Sequence, residues 1–551
     1  MQDFSYQTRQ INIDRFQQEH FDFVIIGGGI NGAGVARDAA SRGLKVALIE
    51  ANDFASGTSS RSSKLIHGGV RYLENFEFHL VFEALNERAK LFDMAPHLVH
   101  PLRFQIPVYK HSRVGMFLMG VGMWLYDALS LFRAPKLHER LNASESLERL
   151  PTLKSDQLKG SFVYSDAYMD DDRLVHETLR SAHSHGAAQA NYVRAIGAEK
   201  HPDGSISAVK CKDQLSGAEF TIQGTHFIST VGVWTDELGE NFLAPWKKIM
   251  RPSKGIHLTF SKDRLPLDNA VVMGAESRIV FGIPRHEMVI VGTTDTDYDE
   301  ALSEVHSTAE DVQYLLKVAN EYFPGAQLTE NDILASYAGV RPLVDDGSSS
   351  EGKTSREHTI INDPRNITFV AGGKYTTYRN MAEETVDSAI TYLSLDRQAA
   401  LGICQTNAPL NPQVNGAQFR WAQQLIPEWA QAWGKSVIFV QALVERHGLE
   451  AEEIFKEFNE SYPNAGETEL LWLLELRYAL KNTMCLSLRD FVLRRVPAFL
   501  ALKDNGQSYY RQWAEEITRV LGRESHSVDE QLDEMQRHIN LELKWKSNLS
   551  D

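Results

Sequence analysis

The chain has 551 residues, with 57 Lys and Arg against 73 Asp and Glu, so its formal net charge is −16. Such an acidic balance argues against general nucleic-acid binding, because phosphate contacts need basic surfaces. Hydrophobic residues make up 43% and charged residues 24%, which excludes a disordered chain and a multi-span membrane protein. The length predicts two to four domains.

The chain contains three cysteines, Cys211, Cys404 and Cys485, and none of them stands in a CxxC pair. This spacing predicts neither a disulfide framework nor a cysteine metal site, and we expect no metal. The N-terminal segment 1–20 is polar and lacks the apolar run of a secretory signal. We therefore expect a reduced, cytoplasmic compartment.

The first predicted unit spans residues 21–50. Its short apolar runs 23–26 and 46–49 are typical of buried parallel strands, and a helix is predicted for 33–42. Between the first strand and the helix stand three glycines in the pattern G-x-G-x-x-G: Gly27, Gly29 and Gly32. Glu50 ends the second strand, about 20 residues beyond this loop, where an acid can accept hydrogen bonds from a ribose. The arrangement predicts dinucleotide binding, with a purely structural turn as the alternative.

A polar run at 58–72 follows the second strand and is rich in hydroxyls, cations and glycine, with His67 inside it. Loops at the carboxyl ends of parallel strands line the ligand crevice of α/β folds. We therefore expect this run at a ligand, although an ordinary surface loop has a similar composition.

Residues 114–132 are nearly all apolar and reach the lower length limit of a membrane span. Asp127 and three glycines weigh against a span, because a charge is costly in lipid. We favour a helix packed inside the protein over a helix that lies in the plane of a membrane surface, and both over a span.

The later segments predict a second, antiparallel sheet. The β-rich runs 279–283 and 288–291 are expected to form a hairpin. The run 255–258, which contains His257, is expected to join the same sheet and to roof the cofactor.

Two more glycine turns follow predicted strands. Strand 225–230 leads into Gly232, and strand 366–370 leads into Gly373 and a helix at 375–393. Together with the first loop, these turns are expected to converge on one bound dinucleotide.

The last part of the chain has a different character. From about residue 398 helical patterns dominate, as at 470–480 and 528–545, which predicts a separate helical domain. Before it, the segment 345–352 predicts a polar, turn-rich loop.

Four runs of the sequence resemble those of FAD-dependent (aerobic, respiratory) glycerol-3-phosphate dehydrogenase. They are GGGINGAG at 27–34, TSSRSSKLIHGGVRYLE at 58–74, YAGVRPL at 337–343 and GGKYTTYR at 372–379. The resemblance runs in order from about residue 20 to residue 393, and the second run is long and specific. The C-terminal part is less distinctive, although a helical domain is expected there in this family.

The resemblance implies an α/β fold in three parts. A Rossmann-like FAD-binding domain would comprise 18–95, 160–245 and 345–395. A substrate or cap domain with an antiparallel sheet, similar to that of D-amino-acid oxidase, would comprise 96–159 and 246–344. A C-terminal helical domain would comprise 396–551.

The resemblance also implies a reaction. Glycerol 3-phosphate loses a hydride from C2 to N5 of a non-covalently bound FAD and a proton from its C2 hydroxyl, which gives dihydroxyacetone phosphate. In respiratory members of the family the electrons pass to a quinone. We therefore expect peripheral association with the inner face of the cell membrane, and a homodimer is left open.

The site residues are carried over from the matching motifs. Arg341 is the first choice for the phosphate, because a guanidinium binds two oxygens at once. His67 leads as the base that takes the proton, with His257 as its rival; the alternative role of His67 is only a hydrogen bond to the flavin or the loop. Substrate contacts are expected from Arg71, Tyr72, Arg341 and Lys374, whose charges have surface ion pairs as an alternative role. Cofactor contacts are expected from Gly27, Gly29, Gly32, Glu50, Ser59, Ser63, Lys64, His67, Gly232, Gly373, Lys374 and Thr376.

Three other interpretations stay open. The first is a soluble oxidase of the same family that reduces oxygen to hydrogen peroxide. The second is an amino-acid oxidase on the same fold, which would need a carboxylate clamp in place of several cations. The third is a non-catalytic flavin-binding protein, against which the full set of motif cations and the motif histidine argue.

Overall fold

The computed structural model describes residues 3–74, 76–275, 278–345, 347 and 357–548. Its strands are β1 (His20–Ile26), β2 (Val46–Ile49), β3 (Leu65–Ile66), β4 (Val99–Tyr109), β5 (Glu139–Asn142), β6 (Leu158–Met169), β7 (Ala188–Ala190), β8 (Val193–Lys200), β9 (Ile206–Asp213), β10 (Glu219–Ser229), β11 (Ser253–Ser261), β12 (Ala270–Ala275), β13 (Arg278–Arg285), β14 (Met288–Gly292), β15 (Thr296–Asp297), β16 (Ile333–Arg341), β17 (His358–Asp363) and β18 (Ile367–Gly372).

Its helices are α1 (Tyr6–Gln18), α2 (Ile30–Ser41), α3 (Arg71–Glu74), α4 (Phe78–Met94), α5 (Met116–Leu129), α6 (Ala143–Arg149), α7 (Asp171–Ser184), α8 (Thr235–Leu243), α9 (Ala309–Tyr322), α10 (Tyr378–Ile390), α11 (Leu395–Ala399), α12 (Gly416–Trp433), α13 (Val437–His447), α14 (Glu450–Phe458), α15 (Glu467–Asn482), α16 (Leu488–Arg494), α17 (Ala498–Ala501), α18 (Tyr510–Val520) and α19 (Ser527–Glu542).

The first sheet has the strand order β17-β18-β10-β1-β2-β7, and β9 and β8 extend it beside β10. Its centre is parallel: β1 pairs with β2 and with β10, and β10 pairs with β18. Side chains of β1 alternate between two cores. Phe23 and Ile25 pack with α2, α7 and α10, whereas Val24 and Ile26 pack with α1 and α8. A parallel sheet covered by helices on both faces explains the continuous apolar runs of its strands, and the predicted strand, glycine loop, helix and strand are confirmed.

The second sheet has the order β15-β11-β14-β13-β12-β4-β6-β3, with β16 paired to β11 and β5 to β6. Its pairings are antiparallel apart from the short contact of β12 with β4. The hairpin β13–β14 is the predicted one. One face of the sheet packs on α9, through Val312, Leu315 and Leu316. The expected antiparallel second sheet is therefore confirmed.

The strand pairing changes one expected boundary. Residues 160–169 were expected in the FAD-binding domain, yet they belong to β6, which pairs with β3, β4 and β5 of the second sheet. The first part of the chain therefore returns to the parallel sheet only after β6, with α7 and β7. Of the polar loop expected at 345–352, residues 346 and 348–352 lie outside the described residues.

Helix α5 is not packed inside the protein, so the favoured interpretation of 114–132 is wrong. Met123, Tyr126 and Asp127 are its buried residues, while Phe117 is 85% and Trp124 61% exposed. An apolar composition is typical of a buried helix, but burial needs a partner on each side, and α5 packs mainly along the face that meets α4 and β6. Within the described ranges, no helix combines the length and apolar character that crossing a membrane requires.

The C-terminal part is helical, as expected. Helices α12 to α15 share one apolar core, and α15 to α19 share a second that also reaches β16 of the second sheet. The predicted helical patterns at 470–480 and 528–545 correspond to α15 and to α19 with the 3₁₀ turn that follows it.

Candidate active site

The glycine turn lies at the carboxyl end of β1 and leads directly into α2. A side chain on Gly32 would overlap the carbonyl oxygen of Gly27, and one on Gly27 would lie 2.7 Å from the carbonyl oxygen of Thr230. Gly27 also has a φ of 110°, which favours glycine. The turn is thus pressed between β1 and the end of β10, and the α2 N-terminus is left facing the crevice at the sheet edge.

Two side chains hold the rim of this turn. The Glu50 carboxylate accepts hydrogen bonds from the backbone N–H of Gly28 at 2.8 Å and of Asn52 at 2.9 Å. The Ser59 hydroxyl accepts one from the N–H of Ile30 at 3.0 Å. Burial raises the pKa of Glu50, against the effect of its two backbone hydrogen bonds. Glu50 and Ser59 therefore lie at the α2 N-terminus, as expected for residues beside a bound dinucleotide.

These features fit FAD. The glycine turn presents backbone without side chains, the α2 N-terminus carries the positive end of the helix dipole, and a carboxylate ends the neighbouring strand. Gly232 opens the turn after β10 with a φ of 58°. Gly373, with a φ of 88°, follows β18, the next strand of the sheet. All three expected glycine turns therefore stand at one edge of the parallel sheet.

Lys64 lies below this crevice and is bound to an acid. Its Nζ is 2.5 Å from Asp171 Oδ1 and 3.2 Å from the Ser60 carbonyl oxygen, and the side chain is buried. The Ser62 hydroxyl donates to the other oxygen of Asp171 at 2.7 Å. Asp171 thus fixes the loop before His67, and the structure gives Lys64 this anchoring role.

His257 lies on β11 of the second sheet, and its side chain is buried. Its Nε2 is 2.8 Å from the Ser63 hydroxyl, and its ring stacks on Tyr337 with centroids 4.7 Å apart. Burial lowers the pKa of His257 well below its usual value, and the charges of Arg341 and Lys64 add to this effect. The imidazole is therefore neutral at neutral pH.

Arg341 ends β16 on the same face as Tyr337. Its Nη1 lies 2.9 Å from Asp295 Oδ1, and its Nη2 lies 3.1 Å from both the Thr293 hydroxyl and the Thr294 carbonyl oxygen. A side chain at Gly255 would collide with the guanidinium, so glycine provides the space it occupies. The arginine is thus held in one orientation while its side chain stays 20% exposed.

His67 is held between the two sheets. Its backbone N–H donates to the Thr376 hydroxyl at 3.3 Å, and its ring centroid lies 6.4 Å from that of Phe281. Phe281 pairs with Gly292, which pairs in turn with His257, so the two histidines flank the same short stretch of β13 and β14.

Lys374 follows Gly373 at the end of the third glycine turn, and its Nζ lies 3.8 Å above the centre of the Tyr72 ring, a cation–π contact. The backbone of Arg71 begins α3, but its side chain lies outside the described part of the structure. Tyr72 and Lys374, expected to act together at the substrate, are therefore adjacent.

A buried carboxylate that the sequence did not single out supports the loop after His67. Asp166, on β6, accepts a hydrogen bond from the Tyr126 hydroxyl at 2.7 Å and from the Gly68 N–H at 3.3 Å, and it forms an ion pair with Arg88. The Gly68 N–H also reaches the Tyr126 oxygen at 3.0 Å. Helix α5 is thereby tied to the loop that carries His67.

Sequence reasoning also missed the groups that orient Arg341. Two hydroxyl residues and an acid, Thr293 to Asp295, directly follow the buried strand β14, and this pattern is a signal for a polar site. The remaining expected residues fall into two adjoining groups. The glycine-turn group holds Gly27, Gly29, Gly32, Glu50, Ser59 and Gly232. The inter-sheet group holds Ser63, His67, Tyr72, His257, Arg341, Gly373, Lys374 and Thr376.

Comparison with known proteins agrees with this geometry. The sequence model of the family described as FAD dependent oxidoreductase matches residues 22–379, which is more than half of the chain. A second model, described as the C-terminal domain of alpha-glycerophosphate oxidase, matches residues 404–528. Fold and site thus define an FAD-dependent oxidoreductase.

Individual relatives show to which family of FAD-dependent oxidoreductases the chain belongs. The aerobic glycerol-3-phosphate dehydrogenase of Staphylococcus saprophyticus is 33% identical over 521 residues, which cover 93% of each chain. The glycerol-3-phosphate dehydrogenase of Bacillus halodurans, solved in complex with FAD, superposes with a TM-score of 0.81 at 28% identity over 98% of both chains. The L-alpha-glycerophosphate oxidase of Mycoplasma pneumoniae, at 19% identity and a TM-score of 0.52 over 67% of this chain and 94% of its own, shares the fold. The chain belongs to the FAD-dependent glycerol-3-phosphate dehydrogenase family.

Proposed function

We propose that this protein oxidises sn-glycerol 3-phosphate to dihydroxyacetone phosphate and passes the electrons to a quinone. The observation that carries the proposal is the placement of an oriented arginine, Arg341, beside a neutral buried histidine, His257, in the cleft next to the glycine turns. A phosphate ester with an oxidisable hydroxyl needs these two groups at one site.

Arg341 is the proposed phosphate ligand. Asp295 and Thr293 hold its guanidinium from one side, so little side-chain freedom is lost when an anion binds to the other. Charge-assisted hydrogen bonds from a guanidinium suit phosphate oxygens, and Lys374 supplies a second cation from the opposite sheet. The amino-acid oxidase interpretation is disfavoured, because a single carboxylate does not call for cations from both sheets.

His257 is the better placed of the two candidate bases. Its ring is neutral, since burial disfavours the charged form, and the Ser63 hydroxyl fixes its orientation at 2.8 Å. A neutral imidazole can take the proton of the substrate hydroxyl. FAD, when bound, supplies the acceptor for the electron pair that leaves the substrate carbon. His67, on the Thr376 side of the cleft, then orients substrate or cofactor.

The quinone is proposed as acceptor because of an exposed apolar face beside the site. We define the apolar face as the exposed side chains Phe76, Phe78, Phe82, Phe117, Leu118, Val121, Trp124, Leu125, Leu131 and Phe132. A contiguous apolar surface is typical of a membrane or protein contact, and quinones dissolve in lipid. Tyr126, on the buried side of α5, connects this face to the loop of His67 through the Gly68 N–H.

The reaction is tested by anaerobic stopped-flow of the flavin-loaded protein mixed with glycerol 3-phosphate. We expect rapid bleaching of the flavin absorbance, and no bleaching with glycerol, which lacks the phosphate. Recovery of the colour is then timed with a soluble quinone analogue and, separately, with oxygen. Faster recovery of the flavin colour with oxygen would show that the protein is an oxidase. If the flavin did not bleach at all, glycerol 3-phosphate would be rejected as the substrate.

Membrane contact is tested by co-sedimentation with phospholipid vesicles. Trp124→Ser, in the apolar face, is expected to reduce binding. Trp421→Ser is the matched control, since Trp421 lies on α12 and is 55% exposed against 61% for Trp124. Equal binding of both variants and the unaltered protein would contradict the proposed contact.

A further inference from the structure

We propose that Asp53 is a positioning residue through which the C-terminal helices hold the FAD-binding loop that follows β2. The proposal concerns residues of this chain that lie around the glycine turn. It rests on FAD lying at that turn, where the site geometry and the family place it.

The loop 50–55 is pressed against the glycine turn at three points. The Glu50 carboxylate accepts from the Gly28 N–H at 2.8 Å, and the Ala55 N–H donates to the Gly28 carbonyl oxygen at 3.0 Å. The Phe54 ring fills the space beside Gly28, where an added Cβ would lie 2.5 Å from the ring. Any shift of this loop is therefore transmitted to the turn that faces the pyrophosphate.

Asp53 stands in this loop with 1% exposure, and its partners come from elsewhere in the chain. One carboxylate oxygen accepts from Arg494 Nε at 2.5 Å and Arg495 Nη1 at 2.8 Å. The other accepts from Arg495 Nη2 at 2.9 Å and Asn191 Nδ2 at 3.1 Å. Burial raises the pKa of Asp53, but Arg495 and Arg494 outweigh burial and keep this carboxyl ionised far below its usual range.

The two arginines are fixed within the C-terminal part. Arg495 donates to the Thr483 hydroxyl at 2.7 Å and to the Thr483 carbonyl oxygen at 3.0 Å. Arg494 donates to Asp490 at 3.0 Å. Both arginines are buried, so their charges depend on Asp53 and Asp490 rather than on water. The end of α16 therefore holds the loop 50–55 in a fixed position through these two arginines.

A second contact joins the same two regions from the other side of the loop. The Phe4 ring stacks on Phe54 with centroids 6.0 Å apart. The Phe4 N–H donates to the Lys481 carbonyl oxygen at 3.0 Å, and the Met484 N–H donates to the Phe4 carbonyl oxygen at 2.6 Å. The end of α15 and the residues after it thus support both Asp53 and Phe54, so the C-terminal helices are in direct contact with the loop that packs on the glycine turn.

The test measures FAD binding by the full-length protein. Apoprotein is titrated with FAD and the quenching of flavin fluorescence is followed, and the release rate is read after dilution of the holoprotein. We expect Asp53→Asn to raise the Kd for FAD about 10-fold, equivalent to about 1.4 kcal/mol, because Arg494 and Arg495 lose the carboxylate that joins them to the loop and the loop loosens.

Glu450→Gln is the matched control. Glu450 pairs with Arg180 of α7 at 2.9 Å, another buried ion pair between the C-terminal helices and the FAD-binding part. This variant loosens the same interface away from the loop 50–55, so we expect its Kd for FAD to stay within about twofold of the unaltered protein.

Two results would overturn the proposal: an unchanged Kd in Asp53→Asn, or an equal rise in Glu450→Gln, which would indicate general loosening. Should Asp53→Asn fail to fold, Arg494→Lys keeps the charge and removes the guanidinium contacts with Asp53 and Asp490. We expect it to release FAD about threefold faster, and an unchanged release rate would equally reject the positioning role.

Discussion

Ser63 and His257 meet 2.8 Å apart, although 194 residues separate them in the chain. Ser63 comes from the loop that leaves the parallel sheet, and His257 from the centre of β11 in the antiparallel sheet. Their contact orients the imidazole, whose face Tyr337 covers.

Replacing the histidine tests its role as base. We expect His257→Asn to lower kcat by about 10²–10⁴-fold, because asparagine cannot take the proton that the proposed base removes, while the flavin content is unchanged. The rate of flavin bleaching in anaerobic stopped-flow measures the effect. His67→Asn is made in parallel, and a large loss there with nearly normal rates in His257→Asn would exchange the two roles.

The pH dependence follows from the same residue. Burial, with Arg341 and Lys64, holds the pKa of His257 well below its usual value of 6.5. A base acts when it is unprotonated, so activity is retained above its pKa and lost as the pH falls through it. We expect kcat/KM to stay level as the pH is lowered through 6.5 and to fall only at more acid values. A fall in kcat/KM centred above pH 6.5 would indicate that another group is the base.

Arg341→Ala should affect the substrate and leave the flavin in place. Loss of two charge-assisted hydrogen bonds predicts a rise of about 100-fold in KM for glycerol 3-phosphate. Arg251→Ala serves as control, because Arg251 pairs with Asp297 on the neighbouring strand at 2.8 Å. A normal KM in Arg341→Ala would remove this residue from the phosphate site.

Gly32→Ala should prevent FAD binding. The new methyl group would overlap the Gly27 carbonyl oxygen, so α2 would have to move away from β1. We expect protein that is purified without yellow colour, measured as the ratio of flavin to protein absorbance. In Gly122→Ala the added methyl group meets nothing within 4 Å, and that variant should bind FAD normally.

The C-terminal helices should lose stability in acid. Burial raises the pKa of Glu450, but Arg180 outweighs it and lowers that pKa to about 2. A carboxyl with a depressed folded pKa stabilises the fold above its ordinary pKa near 4.5, and this contribution disappears as the pH falls toward 2. Thermal unfolding from pH 6 to pH 3 should show a falling Tm, with a shallower fall in Glu450→Gln. Parallel curves for both proteins would contradict this.

What could be predicted from the sequence was mainly local. The strand, glycine turn and helix around Gly27 and Gly32 follow one another within 30 residues, so the hydrophobic pattern displays them, although the contact of Gly27 with Thr230 is long-range. The contacts that complete the site are long-range. Asp53 and Arg495 are 442 residues apart, and no spacing rule connects a lone acid to a lone arginine at that distance.

Helix α5 illustrates a different limit. Its composition is that of a buried helix. Composition shows that a segment can be buried, but it does not show which other parts of the chain pack against it. The three-dimensional packing shows that α4 and β6 cover the Tyr126 side, while Trp124 touches His138 and stays largely exposed. The orientation of Arg341 by Asp295 could not be predicted from the sequence either, because it depends on which strand lies beside β16.

The order of strands in the parallel sheet has a consequence for biosynthesis. β10 and β18, which flank one side of β1, are made long after it, and β18 ends at residue 372. At about 5–20 residues per second, roughly 20–70 s separate the synthesis of β1 from that of β18. β2, made soon after β1, can pair with it at once. The other edge of β1 waits for β10, and the crevice stays incomplete until β18 is made. Cofactor loading therefore belongs to the last stage of translation or to the released polypeptide.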